Sequence, residues 1–355
     1  MKANPSPDLL RVLWDSGITH YDVASIAEVR LVRSVLPEAV LCFMHPVKTA
    51  SAIAEAYRDH GVRTFSLDSQ EELEKIVVAT ADDAGNTVED LALCVRLRVS
   101  SDYSELSLAA KFGIDLADAA PLLQATRQVA DSLGICFHVG SQAMTPFAYV
   151  QAMERVRAAI VDASVTVDII DVGGGFPSIY PGMEPPPLED YFSVIHRAAE
   201  SLPISYSSEL WCEPGRALCA EYNSLVVRVE RRRGNELYIN DGAYGALFDA
   251  AHLGWRFPVR CLSDGRGEAE EGFAFYGPTC DDADFMEGPF HLPADIQAGD
   301  FIEIGMLGAY GAAMRTAFNG FGQGEVFSVS DEPMSSLYRG DRADPRKTDN
   351  VVSLR

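Results

Sequence analysis

The feature that most constrains this chain is an alternation. Short apolar or β-branched runs, each closed by a polar turn, precede segments whose apolar residues recur at helical spacing. The runs are THYDVAS (19–25), VLCFMH (40–45), RTFSLDS (63–69), LALCVRLRV (91–99), GICFHVGS (134–141), VDIIDVGGG (167–175) and ELWCEPG (209–215). Helical spacing falls over 26–36, 49–60, 69–80, 116–132, 146–162 and 188–201. Strands that are almost continuously apolar, with helices between them, call for a parallel sheet covered on both faces. Ser69 with Glu72 three residues on reads as a capping box opening one of these helices. The seven runs become eight if the opening residues MKAN end a further strand. Eight βα units in about 215 residues match a (β/α)8 barrel of the TIM type. An open doubly wound sheet is the rival arrangement.

After Pro214 the texture changes. SLVVRVERRR, NELYIND, EGFAFYG and GDFIEIG are short alternating strands with Gly, Asn and Asp turns and no long helix between them. They predict a mostly antiparallel β domain. The expected organisation is a barrel over 1–215 with its first strand truncated, a C-terminal β domain over 216–330, and a polar, flexible tail over 331–355.

The net charge of −23 sets the chain against nucleic acid, whose phosphates call for a basic surface, and favours cationic ligands. Seven cysteines are scattered with no CxxC pair, the pattern of free thiols in a reducing compartment. The start does not read as a secretory signal, and no apolar run reaches the roughly 18 residues of a membrane span. A cytoplasmic protein with neither membrane nor nucleic-acid partner is expected.

In a barrel, chemistry collects where the strands end. The runs end at Lys2, near Asp22, at His138, at Gly173–Gly175, and at Glu213, Gly215 and Arg216. Singly, Lys2 reads as a solvated lysine, His138 as a satisfied core histidine, the glycines as a loop, and EPGR as a turn with a surface ion pair. Together they offer an amine for a Schiff base, a ring for stacking, a carboxylate for a pyridinium nitrogen and donors for a phosphate. Pyridoxal 5′-phosphate needs that combination. Farther on, GPTCDDADF sets Cys280 beside Asp281, Asp282 and Asp284. The cysteine is either a small buried hydrophobe or a thiol kept protonated by carboxylates and so a proton donor. No His or Cys follows at ligand spacing, and no metal is expected.

A series of ordered motifs carries a resemblance: KANPSP, YDVASIAEV, KTASAI, DSQEELEKI, KFG, HVGSQ, DVGGGFP, EPGR, NDGAYG, GPTCDDAD and GAYGAAMRTAFNGF. From Lys2 to about Ser330 the chain resembles the fold type III pyridoxal-phosphate decarboxylases of the alanine racemase-like barrel. Within the ornithine, lysine and diaminopimelate decarboxylase group it is most similar to the ornithine branch. The resemblance implies that Lys2 bonds the cofactor aldehyde, with Asp22 and Glu28 as acids near it. His138 would stack on the ring and Glu213 would hold its nitrogen. Ser141, Gly174, Gly175, Gly215, Arg216 and Tyr310 would take the phosphate. Cys280 would return a proton to Cα, and Asp281 would pair with the distal amine of a basic substrate. Tyr244, Asp249 and Phe318 would line the substrate pocket. A homodimer with sites shared across its interface is implied. So is a chain shortened at its N-terminus, because the family carries several dozen residues before the lysine strand. Ornithine decarboxylation to putrescine, in polyamine biosynthesis, is the leading expectation. Lysine and diaminopimelate decarboxylases are alternatives, as is a non-catalytic relative that binds a partner protein.

Overall fold

The computed structural model describes residues 1–203 and 206–334, so from residue 335 onward the expected flexible tail lies outside the described residues. The chain divides into two compact units, one of residues 1–177 with 185–216, the other of residues 178–184 with those from 217 on.

The first unit carries β1 (His20–Val23), β2 (Val40–Phe43), β3 (Thr64–Leu67), β4 (Ala92–Arg96), β5 (Ser104–Leu106), β6 (Ser132–Cys136), β7 (Ser141–Ala143), β8 (Ile169–Asp171) and β9 (Glu209–Trp211). α1 (Pro7–Asp15) precedes β1, and between the strands run α2 (Ile26–Val35), α3 (Ala50–Arg58), α4 (Gln70–Thr80), α5 (Leu116–Val129), α6 (Phe147–Ala163) and α7 (Leu188–Glu200); α8 (Gly215–Cys219) follows β9, its last three residues belonging to the second unit. Seven strands form one sheet in the order β1-β2-β3-β4-β6-β8-β9, and every pair in it is parallel. The sheet curls until its ends meet: the rings of His20 in β1 and Trp211 in β9 lie 5.8 Å apart. This is the β/α barrel, with one correction. MKAN is a turn and not a strand, closed by the Asn4 N–H to the Met1 carbonyl at 3.0 Å. The turn sits at the seam between the outer strands. Met1 donates to the Asp22 carbonyl at 3.2 Å, and a Cβ on Gly215 would lie 3.3 Å from that of Ala3. The short pair β5–β7 is antiparallel and was not foreseen.

Local chemistry explains the helix starts. Ser25, Thr49 and Ser69 each accept an N–H from the residue three positions on, filling a donor the helix cannot satisfy. Behind those caps the stripes are buried: Val29 and Val32 in α2, Ile53 and Ala56 in α3, Leu73 and Ile76 in α4. The capping box at Ser69 is only half made. Glu72 takes the Ser69 cap through its own N–H, but its side chain turns elsewhere. It pairs with Lys48 Nζ at 3.0 Å and Lys75 Nζ at 2.5 Å. The Lys48 side chain is fully buried, and its Nζ also donates to the carbonyls of His45 at 2.9 Å and Ser66 at 2.6 Å. All three ammonium protons thus have acceptors, and the ends of β2 and β3 are tied to the start of α4. Burial pushes the Lys48 ammonium down to about 8, with Glu72 opposing the shift.

The second unit has a six-stranded sheet of β10 (Leu225–Arg233), β11 (Glu236–Ile239), β12 (Val259–Cys261), β13 (Glu270–Tyr276), β14 (Phe285–Pro293) and β15 (Phe301–Ile304), in the order β12-β15-β10-β11-β13-β14. Four of its five pairings are antiparallel, but β11 and β13 run parallel. Along β10, Val227 and Val229 are buried while Arg228 and Glu230 face out, the alternation of a one-sided sheet. Phe275 and Phe290 stack at 4.1 Å across β13 and β14. The helix α9 (Phe248–His252) lies between β11 and β12 in sequence.

The buried ion cluster gives a direct test. Glu72→Ala strands the Lys48 ammonium and is expected to lower unfolding stability by about 3–5 kcal/mol. Lys48→Met combined with Glu72→Leu, which removes both charges, recovers at least half of that in the same urea titration. Equal losses in the single and double variants would show that the pair contributes only shape.

Candidate active site

At the seam of the barrel, Lys2 Nζ pairs with Asp22 Oδ2 at 2.6 Å. Burial works against the Lys2 charge, but the side chain keeps 41% of its surface, and Asp22 and Glu213 outweigh the penalty. The ammonium is held above its ordinary value, with Arg96 opposing. The second Asp22 oxygen, Oδ1, is buried without a hydrogen-bond partner. A buried carboxylate oxygen with no donor is a place for a further polar group.

His138 follows β6. Its Nδ1 accepts the Gly140 N–H at 3.1 Å, which assigns the ring proton to Nε2. Burial, then the nearby Arg96 and Lys2 charges, push the imidazole down to about 3, against the pull of Asp22. The ring is therefore neutral at ordinary pH. Against it lies the glycine turn after β8. A Cβ on Gly174 would come within 2.8 Å of the Glu213 carbonyl and 2.9 Å of His138 Nε2. Gly173 and Gly175 have φ of 66° and 106°, a region that glycine enters without strain. Tyr149 braces this turn, its hydroxyl donating to the Gly174 carbonyl at 3.0 Å. Ser141 and Arg216 are both buried, and Arg216 Nε donates to Ser141 Oγ at 3.4 Å.

Glu213 follows β9 and is joined to the glycine turn by its N–H to the Gly173 carbonyl at 2.9 Å. Burial, then Asp22 and Asp171, hold its carboxyl well above the ordinary range, while Lys2 and Arg96 pull it down. Asp171 is a residue that sequence reasoning missed. It ends β8, is 1% exposed, accepts the Gly173 N–H at 2.8 Å and hydrogen-bonds the Glu213 carboxyl. Burial raises Asp171 too, although both hydrogen bonds oppose the rise. Two carboxyls in contact share one proton and hold it more tightly than either would alone, because both cannot stay charged. Arg96, the last residue of β4, was also missed. Its charge reaches Lys2, His138 and Glu213, and its guanidinium stands over the Phe112 ring at 5.5 Å. The available signal was position, since both residues end apolar strands. Glu28, expected near Lys2, accepts the Ala24 N–H at 2.6 Å and closes the start of α2.

In the second unit, the Tyr244 hydroxyl donates to Asp281 Oδ2 and its ring packs on Phe318 at 4.9 Å. Cys280 is exposed, next to Asp281, on a cleft of about 620 Å³ also lined by Asp282, Tyr238 and Tyr276. The structure thus brings Tyr244, Cys280, Asp281 and Phe318 together. Asp249 lies on α9, and Tyr310 lies in the loop after β15 with φ 66°. Among the described residues no group of His, Cys, Asp and Glu could hold a metal ion, and no helix is long and apolar enough to cross a membrane.

Residues 1–220 match the family model described as pyridoxal-dependent decarboxylase, pyridoxal binding domain. The chain belongs to the pyridoxal-dependent decarboxylases. It is 29% identical to the lysine/ornithine decarboxylase of Selenomonas ruminantium, over 94% of this chain and 83% of that one. It is 30% identical to the ornithine decarboxylase of Mus musculus, over 96% and 76% of the two chains. The crystal structure of the Paramecium bursaria Chlorella virus arginine decarboxylase bound to agmatine superposes with a TM-score of 0.79 at 27% identity, covering 91% of this chain and 86% of that one. The protein is accordingly an amino-acid decarboxylase, a carbon–carbon lyase, whose cofactor is pyridoxal 5′-phosphate. The residues present fit that group: an amine beside an unfilled carboxylate oxygen, a neutral ring, a proton-holding carboxyl, and a glycine cradle that a Cβ would fill.

The acid pair predicts a pH signature in the chain without cofactor. Asp171 keeps its proton to higher pH when folded than when unfolded, so its contribution to stability falls as pH rises above the ordinary carboxyl range. Asp171→Asn keeps the hydrogen-bonding shape and cannot titrate. The urea midpoint of the variant minus that of the parent chain should therefore grow from about pH 4 to about pH 7. A flat difference would mean that Asp171 does not hold the proton.

Proposed function

We propose that the chain decarboxylates a basic L-amino acid, with ornithine the foremost substrate and putrescine the product, and that it works as a homodimer. The observation that carries the basic substrate is the Tyr244–Asp281 pair on the cleft beside Cys280. The Tyr244 hydroxyl first, then the Ala283 N–H, hold the exposed Asp281 carboxyl below its ordinary value, so it stays charged and ready for a cation. Relatives named for ornithine, lysine and arginine support the same class.

Bound pyridoxal phosphate supplies the conjugated ring that takes up the electron pair left when the bond from Cα to the carboxylate breaks. The chain's own residues bind and orient around it. Lys2 would hold the cofactor aldehyde, with Asp22 beside the amine. His138 would offer an uncharged ring face. Glu213, braced by Asp171, would place a carboxyl at the ring nitrogen and keep it protonated. Ser141, Gly174, Gly175, Gly215 and Arg216 would take the phosphate, joined by Tyr310. Cys280 would return a proton to Cα while Asp281 holds the far amine, with Tyr244, Asp249 and Phe318 shaping the pocket. We infer that Cys280 and Asp281 serve a site in the second copy of the dimer.

The test is reduction with borohydride after incubation with pyridoxal phosphate, read by intact mass and peptide mapping, with turnover of ornithine, lysine and arginine in parallel. A single adduct on Lys2 and preferred release of putrescine are expected. Asp281→Ala is expected to raise KM for ornithine about 10- to 100-fold, the worth of a charged hydrogen bond. An adduct elsewhere, or none, would overturn the role of Lys2. Preferred release of cadaverine or agmatine would overturn ornithine alone.

A further inference from the structure

The turn after Arg315 carries Phe318, and the next residue, Asn319, has no role so far yet touches the thiol. Asn319 Oδ1 lies 3.3 Å from the Cys280 backbone nitrogen and 3.3 Å from Cys280 Sγ. The backbone contact settles which end of the amide faces the cysteine, because an N–H can only donate and so requires the oxygen. The thiol facing that same oxygen can bond to it only as S–H. A thiolate there would meet a carbonyl lone pair instead of a donor. Asn319 itself is held in the left-handed region, φ 53° and ψ 15°, which asparagine tolerates better than most residues with a Cβ.

The turn is anchored at several points. Thr316 donates to the Tyr244 carbonyl through its N–H at 2.9 Å and its hydroxyl at 3.0 Å. Phe318 packs on the Tyr244 ring. Arg315 pairs with Asp241 at 2.9 Å and donates to the Gly322 carbonyl at 3.0 Å. Tyr244, so held, donates to Asp281. Adjacent residues of one loop are therefore gripped by one braced assembly, Cys280 by Asn319 and Asp281 by Tyr244. The other ionisable groups on the cleft are Asp282, Glu230, Arg233, Tyr238 and Tyr276, and Asp284 lies buried behind the loop. Carboxyls outnumber the single guanidinium among them.

We propose that Asn319 is a positioning residue that keeps the Cys280 thiol protonated and fixes its direction, so that a proton is loaded before it is needed at Cα. In the donor step the proton leaves sulfur for carbon, and the thiolate left behind takes a proton from water. The proposal rests on the reading of Cys280 as donor, and the pairing with Asn319 is tested without turnover. The full chain is alkylated with iodoacetamide across pH, and Cys280 is followed by peptide mass, because only the thiolate reacts. Asn319→Gly relieves the left-handed backbone and deletes the acceptor, whereas Asn319→Asp keeps an acceptor and adds charge. Near neutral pH, Asn319→Gly is expected to react ~3- to 10-fold faster and Asn319→Asp ~3- to 10-fold slower, the change for half to one unit in a thiol midpoint. Unmoved midpoints in both variants would overturn the proposal. So would a change confined to the high-pH plateau, which reports access alone. Separately, Cys280→Ser with unchanged turnover would overturn the donor reading, and with it the purpose proposed for the pairing, whatever the midpoints show.

Discussion

Three carboxyls, Asp22, Asp171 and Glu213, share one end of the barrel with two cations, Lys2 and Arg96. Repulsion among charges that water cannot fully screen governs everything near them. Burial first, and then that repulsion, raises the proton affinity of Glu213; burial raises that of Asp171 and, with the cations, keeps His138 neutral, while attraction to Asp22 and Glu213 holds Lys2 as an ammonium. Acids crowded in this way suit a ligand that brings a ring nitrogen to be protonated. Stability forgone at such a site is the usual cost of a surface organised for chemistry.

Much of the frame was legible because its signals are local. Each parallel strand begins or ends where an apolar run meets a turn, and α2, α3 and α4 start at the Ser or Thr that caps them. What escaped depends on distant partners. β5 and β7 are three residues each and owe their existence to one another. β12 and β14 were not picked out, and the parallel pairing of β11 with β13 is a choice made across the sheet. Glu72 has the spacing of a capping residue but goes to Lys48, because a buried ammonium is the stronger claimant.

The site divides along the same line. Lys2, His138, the glycine turn, Glu213 and Arg216 stand at strand ends and could be collected by position alone. Asp171 and Arg96 stand at strand ends as well, but inside apolar runs they look like ordinary sequence. Only the fold shows that Asp171 touches Glu213 and that Arg96 reaches Lys2 and His138. Asn319 could not be picked out at all. Its meaning comes from a partner 39 positions earlier and from a left-handed backbone.

The seam of the barrel has a consequence for cooperativity. β1 and β9 end the sheet order and meet through rings, with no ladder of hydrogen bonds between them. A barrel joined in this way should open there first, exchanging its outer-strand amides with solvent before those of β3 or β4. Lys2 and Asp22 lie on one side of that seam and Glu213 on the other. A molecule that engages all three clasps the seam, and its binding energy is added to the folding of the whole unit.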